Sequence, residues 1–218
     1  MLAVENNKKK SSILKDALAL FIITLISGFA LSFVYEITKD PIKAQENAKK
    51  LEGYQVAFSE AEKIEVDEDL TLQLENINLT DLDATYAGVT IDEINKAYDG
   101  SDQMIGYILK VSTTKGYKDV ISVAIGYSLD GTVKGFEILS INETAGLGMN
   151  ANQPEFKNKF SNKKVEQFVT TKTGATADNE IDIISGATIT TDAIVYAVNA
   201  GIGYLQEFST ELGGGSNE

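Results

Sequence analysis

The chain has 218 residues, carries a formal net charge of −13 and contains neither Cys nor His. These absences exclude disulfides, thiolate-ligated iron–sulfur clusters, imidazole metal sites and Ser-His or Cys-His nucleophile pairs, and we predict no metal site. The length suits one membrane anchor and one domain, and so acidic a chain is not expected to bind nucleic acid.

The first predicted element is a membrane-spanning helix. Residues 17–35 are 19 residues without a charge, close to the roughly 20 that a helix needs to cross a hydrocarbon core. Residues 1–16 carry a net charge of +2 and the remainder −15, which predicts a cytoplasmic tail, a single pass through the inner or plasma membrane, and an extracytoplasmic body. The alternative is a cleaved signal peptide, but the apolar run exceeds the roughly 7 to 15 residues of a signal core.

The anchor is followed by a predicted connecting helix. Residues 36–65 are rich in Ala and Lys, and Pro41 has the conformational preference of a first helical residue. We therefore predict that a second helix begins at Pro41 and ends near residue 65. The next segment, residues 66–86, is acidic and weakly periodic, and it is interpreted as loop with short strands.

Short runs with alternating apolar residues predict an antiparallel meander in the domain 66–210. Turn sequences separate the runs, and Asp130-Gly131 is typical of a hairpin. The four predicted strands are Ile94–Tyr98, Met104–Thr113, Val120–Tyr127 and Val133–Asn142.

A Gly-rich loop, a short helix near Pro154–Phe160 and a last long helix follow the strands. The last helix places apolar residues on one face, and residues 211–218 are predicted to be a flexible tail. That face contains Ile194, Ala197, Val198, Gly201 and Leu205. Strands followed by helices predict an α+β fold, with an antiparallel sheet flanked by helices after one transmembrane helix.

Two similar tetrapeptides lie in the segment before the last helix: TGAT at Thr173–Thr176 and SGAT at Ser185–Thr188. Only the second leads directly into a periodic helix. The unpaired N–H groups of a helix start favour an anion, and Gly186 allows close approach to the backbone. From spacing alone, the favoured interpretation is a capped helix start that binds nothing, because small-residue helix starts are common.

The second tetrapeptide belongs to a longer motif. Asp182-Ile-Ile-Ser185-Gly-Ala-Thr188 resembles the D-x-x-[ST]-G-A-T pattern of FMN-binding domains, in which FMN is esterified through its phosphate to the final Thr. Glu143-Thr-Ala-Gly-Leu-Gly148 is similar to the E-T-P-G-L-G loop of the G subunit of Rnf-type electron transport complexes. With the single anchor, the resemblance covers most of the chain.

The resemblance implies a phosphoester between FMN and Thr188, made by a separate flavin transferase that uses FAD and recognises Asp182. The cofactor is then expected to lie between the helix start and the Gly-rich loop. Its expected binding residues are Ser185, Gly186, Ala187, Thr190, Thr191, Glu143, Thr144, Gly146, Leu147 and Gly148.

By this resemblance the chain is an electron carrier and a non-autonomous subunit of an ion-translocating ferredoxin:NAD oxidoreductase. Its expected partners are the other subunits, the transferase, and the bilayer through residues 17–35. The alternatives are the C subunit of a Na⁺-translocating NADH:quinone reductase and a stand-alone flavinylated carrier. A further alternative, of another class, is an extracytoplasmic binding module without a cofactor.

Overall fold

A computed structural model of the chain describes the backbone of residues 2–74 and 77–214, and the side chains of residues 13–74 and 77–207. The chain divides into two compact units, Met1–Ala48 and Lys49–Glu218.

The first unit lies within one long helix, α1, Leu2–Ala57. The helix from Ile13 is long and apolar enough, by length and composition, to cross a membrane. Large side chains such as Leu25 and Phe29 are exposed along it, as expected for a surface that lipid covers.

The predicted break at Pro41 is wrong, because Pro41 lies inside α1. An interior proline removes one i→i−4 hydrogen bond and its ring crowds the preceding turn, at a cost of about 3 kcal/mol. The helix nevertheless continues through Pro41, because helix-forming residues lie on both sides of it. Two predicted boundaries of this region also differ from the observed helix. Residues 2–16 are helical rather than a separate tail, and the helix ends at Ala57 instead of residue 65.

The second unit is built on a five-stranded antiparallel sheet in the order β1-β2-β3-β4-β5. Its strands are β1 Lys63–Val66, β2 Val89–Tyr98, β3 Met104–Thr113, β4 Ile121–Ser128 and β5 Val133–Ser140. The predicted meander is confirmed, and Gly131, with a φ of +87°, makes the expected turn between β4 and β5. Strand β1 was not predicted, and its first three residues fall at the end of the predicted connecting helix, residues 36–65.

Between β1 and β2 the structure differs from the predicted loop with short strands. Helix α2, Glu68–Gln73, is followed by single 3-10 turns at Leu79–Asp81 and Ala84–Tyr86. Asp67, Asn78 and Asp83 accept backbone N–H groups at the starts of these three elements. Side-chain capping, which weak periodicity does not reveal, therefore orders this segment.

The remaining elements are α3 Pro154–Lys157, β6 Val169–Thr171, β7 Glu180–Asp182 and α4 Thr188–Gly214. The short helix near Pro154 is confirmed, and α4 begins slightly earlier than its apolar period indicates. Strands β6 and β7 form a parallel pair that was not predicted. Because α4 extends through Gly214, residues 211–214 are helical rather than part of a tail; residues 215–218 lie outside the described residues.

The sheet is covered on both faces. Leu109, Val123 and Ile125 pack on one face with α4, whose predicted apolar face is buried. On the opposite face Ile108 and Ala124 pack against Phe58 and the end of α1. Successive residues of a strand point to opposite faces, so this alternation produces helix, sheet and helix layers within the second unit. The α+β fold is thereby confirmed.

Candidate functional site

The SGAT segment forms a tight turn that leads into α4. The N–H of Ala187 donates to the carbonyl of Ile184 at 2.8 Å, and Gly186 has a φ of +74°. A turn with a positive φ at its third residue strongly favours glycine there. Gly186 is therefore needed for the backbone path that brings Thr188 to the first position of α4.

Thr191 ties this turn to the helix. Its buried hydroxyl donates to the carbonyl of Ala187 at 2.9 Å and accepts the N–H of Ile184 at 3.2 Å. The N–H of Thr191 also donates to Ala187, which is the first i→i−4 bond of α4. The structure thus gives Thr191 a supporting contact within the turn.

The start of α4 offers backbone donors. Helix geometry leaves the N–H groups of Thr188, Ile189 and Thr190 without intrahelical acceptors, and the methyl side chain of Ala187, the residue before the helix, cannot accept them. Thr188 is half-buried and Ile189 is exposed. Backbone N–H groups and a hydroxyl therefore meet at one partly open position.

The loop Glu143–Gly148 lies against this helix start. A Cβ atom placed on Gly186 would stand 2.9 Å from Cδ2 of Leu147, and one placed on Gly148 would stand 2.7 Å from Oγ1 of Thr190. The carbonyl of Thr144 accepts the N–H groups of Leu147 and of Met149. The two segments that carry the sequence motifs are therefore in direct contact, and glycines permit that contact.

A third wall comes from the turn between β3 and β4. Oε1 of Glu143 accepts the N–H of Tyr117 at 2.7 Å and that of Lys118 at 3.4 Å. Lys115, in the same turn, makes two further contacts. Its Nζ donates to the carbonyl of Thr85 at 2.6 Å and lies 4.8 Å from the ring centroid of Tyr196. Glu143 thus connects two walls of the site.

These three segments enclose an open cavity of about 510 Å³. Of the predicted site residues, eight line it: Glu143, Thr144, Leu147, Gly148, Gly186, Ala187, Thr188 and Thr190. Three do not line it: Ser185 and Gly146, which are exposed, and the buried Thr191.

Two lining residues, Tyr117 and Ile189, were missed. Ile189 follows directly from its place beside Thr188 at the helix start. Tyr117 belongs to a Gly-Tyr pair in a predicted turn, but nothing local in the sequence indicates that this turn meets the Gly-rich loop.

Asp182 lies outside the cavity, at the end of β7. Its Oδ2 accepts from Nζ of Lys159 at 3.1 Å, and its Oδ1 accepts the N–H of Ala175 at 2.6 Å. The hydrogen bond from Lys159 holds the pKa of this carboxyl below its ordinary value. Asp182, which lies three residues before SGAT, therefore contacts the loop that contains TGAT.

Comparison with known proteins gives two family matches. Residues 116–203 match the FMN-binding domain family, and residues 1–55 match the RnfG N-terminal region. The first match contains the cavity and the start of α4, and the second contains most of α1.

Relatives align along almost the whole chain. The G subunit of the Na⁺-translocating ferredoxin:NAD⁺ oxidoreductase complex of Acetobacterium woodii is 26% identical over 90% of this chain and 93% of its own. The proton-translocating counterpart of Clostridium ljungdahlii is 28% identical over 93% and 97%. Among solved structures, Shewanella oneidensis NqrC is similar over 56% of this chain and 61% of its own, with 22% identity and a TM-score of 0.47.

The two family matches and the near full-length alignments agree with each other in extent and order. The chain therefore has an RnfG N-terminal region and an FMN-binding domain, and along almost its whole length it is similar to the G subunits of ion-translocating oxidoreductase complexes.

Proposed function

We propose that this chain is the membrane-anchored G subunit of an Rnf-type ion-translocating ferredoxin:NAD oxidoreductase complex, and that it relays electrons through FMN esterified to Thr188. The observation that carries the proposal is the position of Thr188, at the first turn of α4 and on the wall of a 510 Å³ cavity. Full-length similarity to two proteins named as the G subunits of ferredoxin:NAD⁺ oxidoreductase complexes supports the assembly.

The lining residues fit a flavin mononucleotide. The backbone N–H groups and hydroxyls of Thr188 and Thr190 suit a phosphate, since a helix start favours negative charge. Leu147, Ile189 and the ring of Tyr117 offer apolar surface for a planar ring system. Gly148 lets the Gly-rich loop lie directly against Thr190, where a Cβ atom would overlap it, and so keeps two walls of the cavity together.

When bound, FMN supplies one- and two-electron redox chemistry, and the chain supplies position and electrostatics. The ester to Thr188 would retain the cofactor in a site that is open on one side. Thr191 and Gly186 would fix the direction of the Thr188 side chain through the turn they stabilise.

Attachment is proposed to require a transferase, because the chain contains no His or Cys, and a threonine hydroxyl without an imidazole base is a weak nucleophile. In the proposed reaction the Thr188 Oγ1–phosphorus bond forms while the pyrophosphate bond of FAD breaks. AMP leaves, and the hydroxyl proton passes to a base of the transferase. We propose that the transferase recognises this chain at Asp182 and its neighbours.

The distribution of charge along the chain supports the proposed orientation in the membrane. The lysines before the apolar segment and the acidic body favour a cytoplasmic amino terminus and an extracytoplasmic flavin domain. The bilayer is proposed to contact α1 over residues 17–35.

The test is flavin fluorescence that survives denaturation. The chain is co-expressed with a flavin transferase, separated on a denaturing gel and viewed under ultraviolet light. Fluorescence is expected in the parent chain and in Thr176→Val, which changes the first tetrapeptide, and it should vanish in Thr188→Val. A fluorescent Thr188→Val band would refute the linkage, and a dark parent band would favour a binding module without a cofactor.

Membership of the complex is tested separately by co-purification. A tagged chain in its native membrane is expected to bring down other subunits in a multi-subunit assembly. Isolation of the flavinylated chain alone would instead support a stand-alone carrier.

A further inference from the structure

The first tetrapeptide, TGAT, is held in place by the side chains of β7. Oε2 of Glu180 accepts the N–H of Thr176 at 2.6 Å, the hydroxyl of Thr176 at 3.0 Å and the N–H of Ala177 at 3.1 Å. Hydrogen bonds to a charged acceptor are stronger than neutral ones. Glu180 therefore orders the second half of the loop Thr173–Ala177.

Asp182 orders the middle of the same loop. One carboxylate oxygen accepts the N–H of Ala175 and the other accepts Nζ of Lys159. Each oxygen of this carboxylate is thus already bonded within the chain. The loop itself is exposed at every residue from Thr173 to Ala177, so a protein that approaches Asp182 meets the loop.

The loop and the modified turn are close in the chain and share a support. Asp182 lies three residues before Ser185, and the N–H of Ile183 donates to the carbonyl of Thr171 at the start of the loop. Ser185 and Gly186 are exposed like the loop, whereas Thr191 and Ala187 are buried behind them. The two strands are parallel and pair Thr171 with Asp182, so these two exposed segments leave the same end of the strand pair.

We propose that Asp182 serves flavinylation as a positioning residue, which holds the loop Thr173–Ala177 so that the transferase docks on this loop together with the turn Ser185–Thr188. The partner is the flavin transferase, which is proposed to contact the exposed surface of both segments and to depend on the ordered path of the loop backbone. The inference rests on the proposed flavinylation of Thr188 and adds a docking surface to it.

The test measures the initial rate of flavinylation against the concentration of the full-length chain, with purified transferase and FAD. The informative variant is Glu180→Ala, which releases the loop and leaves Asp182 and Thr188 unchanged. Loss of charge-assisted hydrogen bonds at the docking surface is expected to raise the KM for the chain by roughly tenfold, with little change in kcat.

Two further variants distinguish a docking defect from a general loss of stability. Glu180→Gln keeps one acceptor oxygen for the loop amides and should recover most of the parent KM. Glu166→Ala removes an exposed carboxylate elsewhere in the same unit and should leave the KM unchanged. Thermal unfolding of all variants should stay near that of the parent, because the loop is exposed.

A parent-like KM in Glu180→Ala would overturn the inference and leave Asp182 as a residue that the transferase reads directly. A raised KM in Glu180→Ala that Glu180→Gln recovers would support it. Failure of the parent chain to accept flavin at Thr188 is a different result, which would refute the proposed function and the inference together.

Discussion

The carboxylate of Glu143 accepts the backbone N–H of Tyr117 at 2.7 Å and so joins the Gly-rich loop to the turn between β3 and β4. The Glu143 residue is only 5% exposed, although Tyr117 itself is exposed. A hydrogen bond to a charged acceptor contributes about 1.5–3 kcal/mol. Glu143 is therefore expected to support the cavity wall whether or not it also touches the cofactor.

Replacement of Glu143 by Ala should lower the free energy of unfolding by about 1–3 kcal/mol, since the N–H groups of Tyr117 and Lys118 lose their acceptor. Glu143→Gln retains an acceptor oxygen and should cost clearly less. Chemical denaturation of the three proteins measures the difference. Equal losses in the Ala and Gln variants would show that the negative charge, rather than the hydrogen bond, stabilises the wall.

Gly148→Ala should disturb the contact between the Gly-rich loop and α4. The added Cβ would stand 2.7 Å from Oγ1 of Thr190 and 2.8 Å from Cβ of Glu143, and such overpacking typically costs about 1–3 kcal/mol. We expect a lower unfolding temperature and less flavin fluorescence per mole of protein.

The control for this variant is Gly203→Ala, inside α4. A Cβ there meets nothing closer than 3.9 Å, and alanine is the better helix former, so stability should hold or rise by about 0.5–1 kcal/mol. If Gly148→Ala behaved like Gly203→Ala, the loop would be free to move away from Thr190.

The meander was predictable because its signals are local. From Leu109 to Ser112, strand β3 alternates in burial as its sequence alternates in polarity. Gly131 supplies the positive φ that the turn after β4 requires. The start of α4 was predictable for the same reason, since SGAT and the apolar period adjoin in sequence.

The rest of the site depends on contacts that distant backbone groups make. Tyr117 lies 26 residues from Glu143, and the bond uses an N–H that every residue except proline possesses. The bond from Ala175 to Asp182 is of the same kind. Residue type therefore indicates which carboxylates are present, while only the fold determines which amides they accept.

Gly126→Ala should loosen the end of α1 from the sheet. Gly126 and Gly135 pair directly across β4 and β5, and a Cβ on either would overlap the carbonyl oxygen of Ala57. Two backbones approach closely here, so the variant should lose at least about 1–3 kcal/mol of stability, again compared with Gly203→Ala. An unchanged unfolding temperature would mean that the helix end is not held against these strands.

Removal of the apolar segment should leave a stable domain only if the end of α1 is kept. Tyr54, Ala57 and Phe58 are at most 1% exposed and pack on the sheet. Burial of one large apolar side chain contributes about 1.5–3 kcal/mol. A chain that begins at Glu36 should therefore be soluble and fold cooperatively, whereas one that begins at Ser59 should unfold at lower temperature or aggregate. Equal unfolding temperatures would contradict this role of α1.

The loop Thr173–Ala177 should open only in acid. The hydrogen bond from Lys159 holds the pKa of Asp182 below its ordinary value, and the backbone N–H groups of Thr176 and Ala177 lower the pKa of Glu180 in the same way. A carboxyl whose pKa is lower in the folded state stabilises the fold above its unfolded pKa, and this contribution is lost as the pH falls through the folded value. The loop should accordingly be closed at neutral pH.

The amide proton of Ala175 reports this titration by NMR, because it donates to Asp182. Its chemical shift should change with a midpoint below the ordinary pKa of an aspartate, which is about 3.9. Lys159→Met removes the largest cause of the lowered pKa and should move the midpoint upwards. Lys163→Met, which instead removes the partner of Asp178, should leave it in place. A parent midpoint at or above the ordinary value would show that the bond between Lys159 and Asp182 does not persist in solution, and that the loop lacks the support inferred for it.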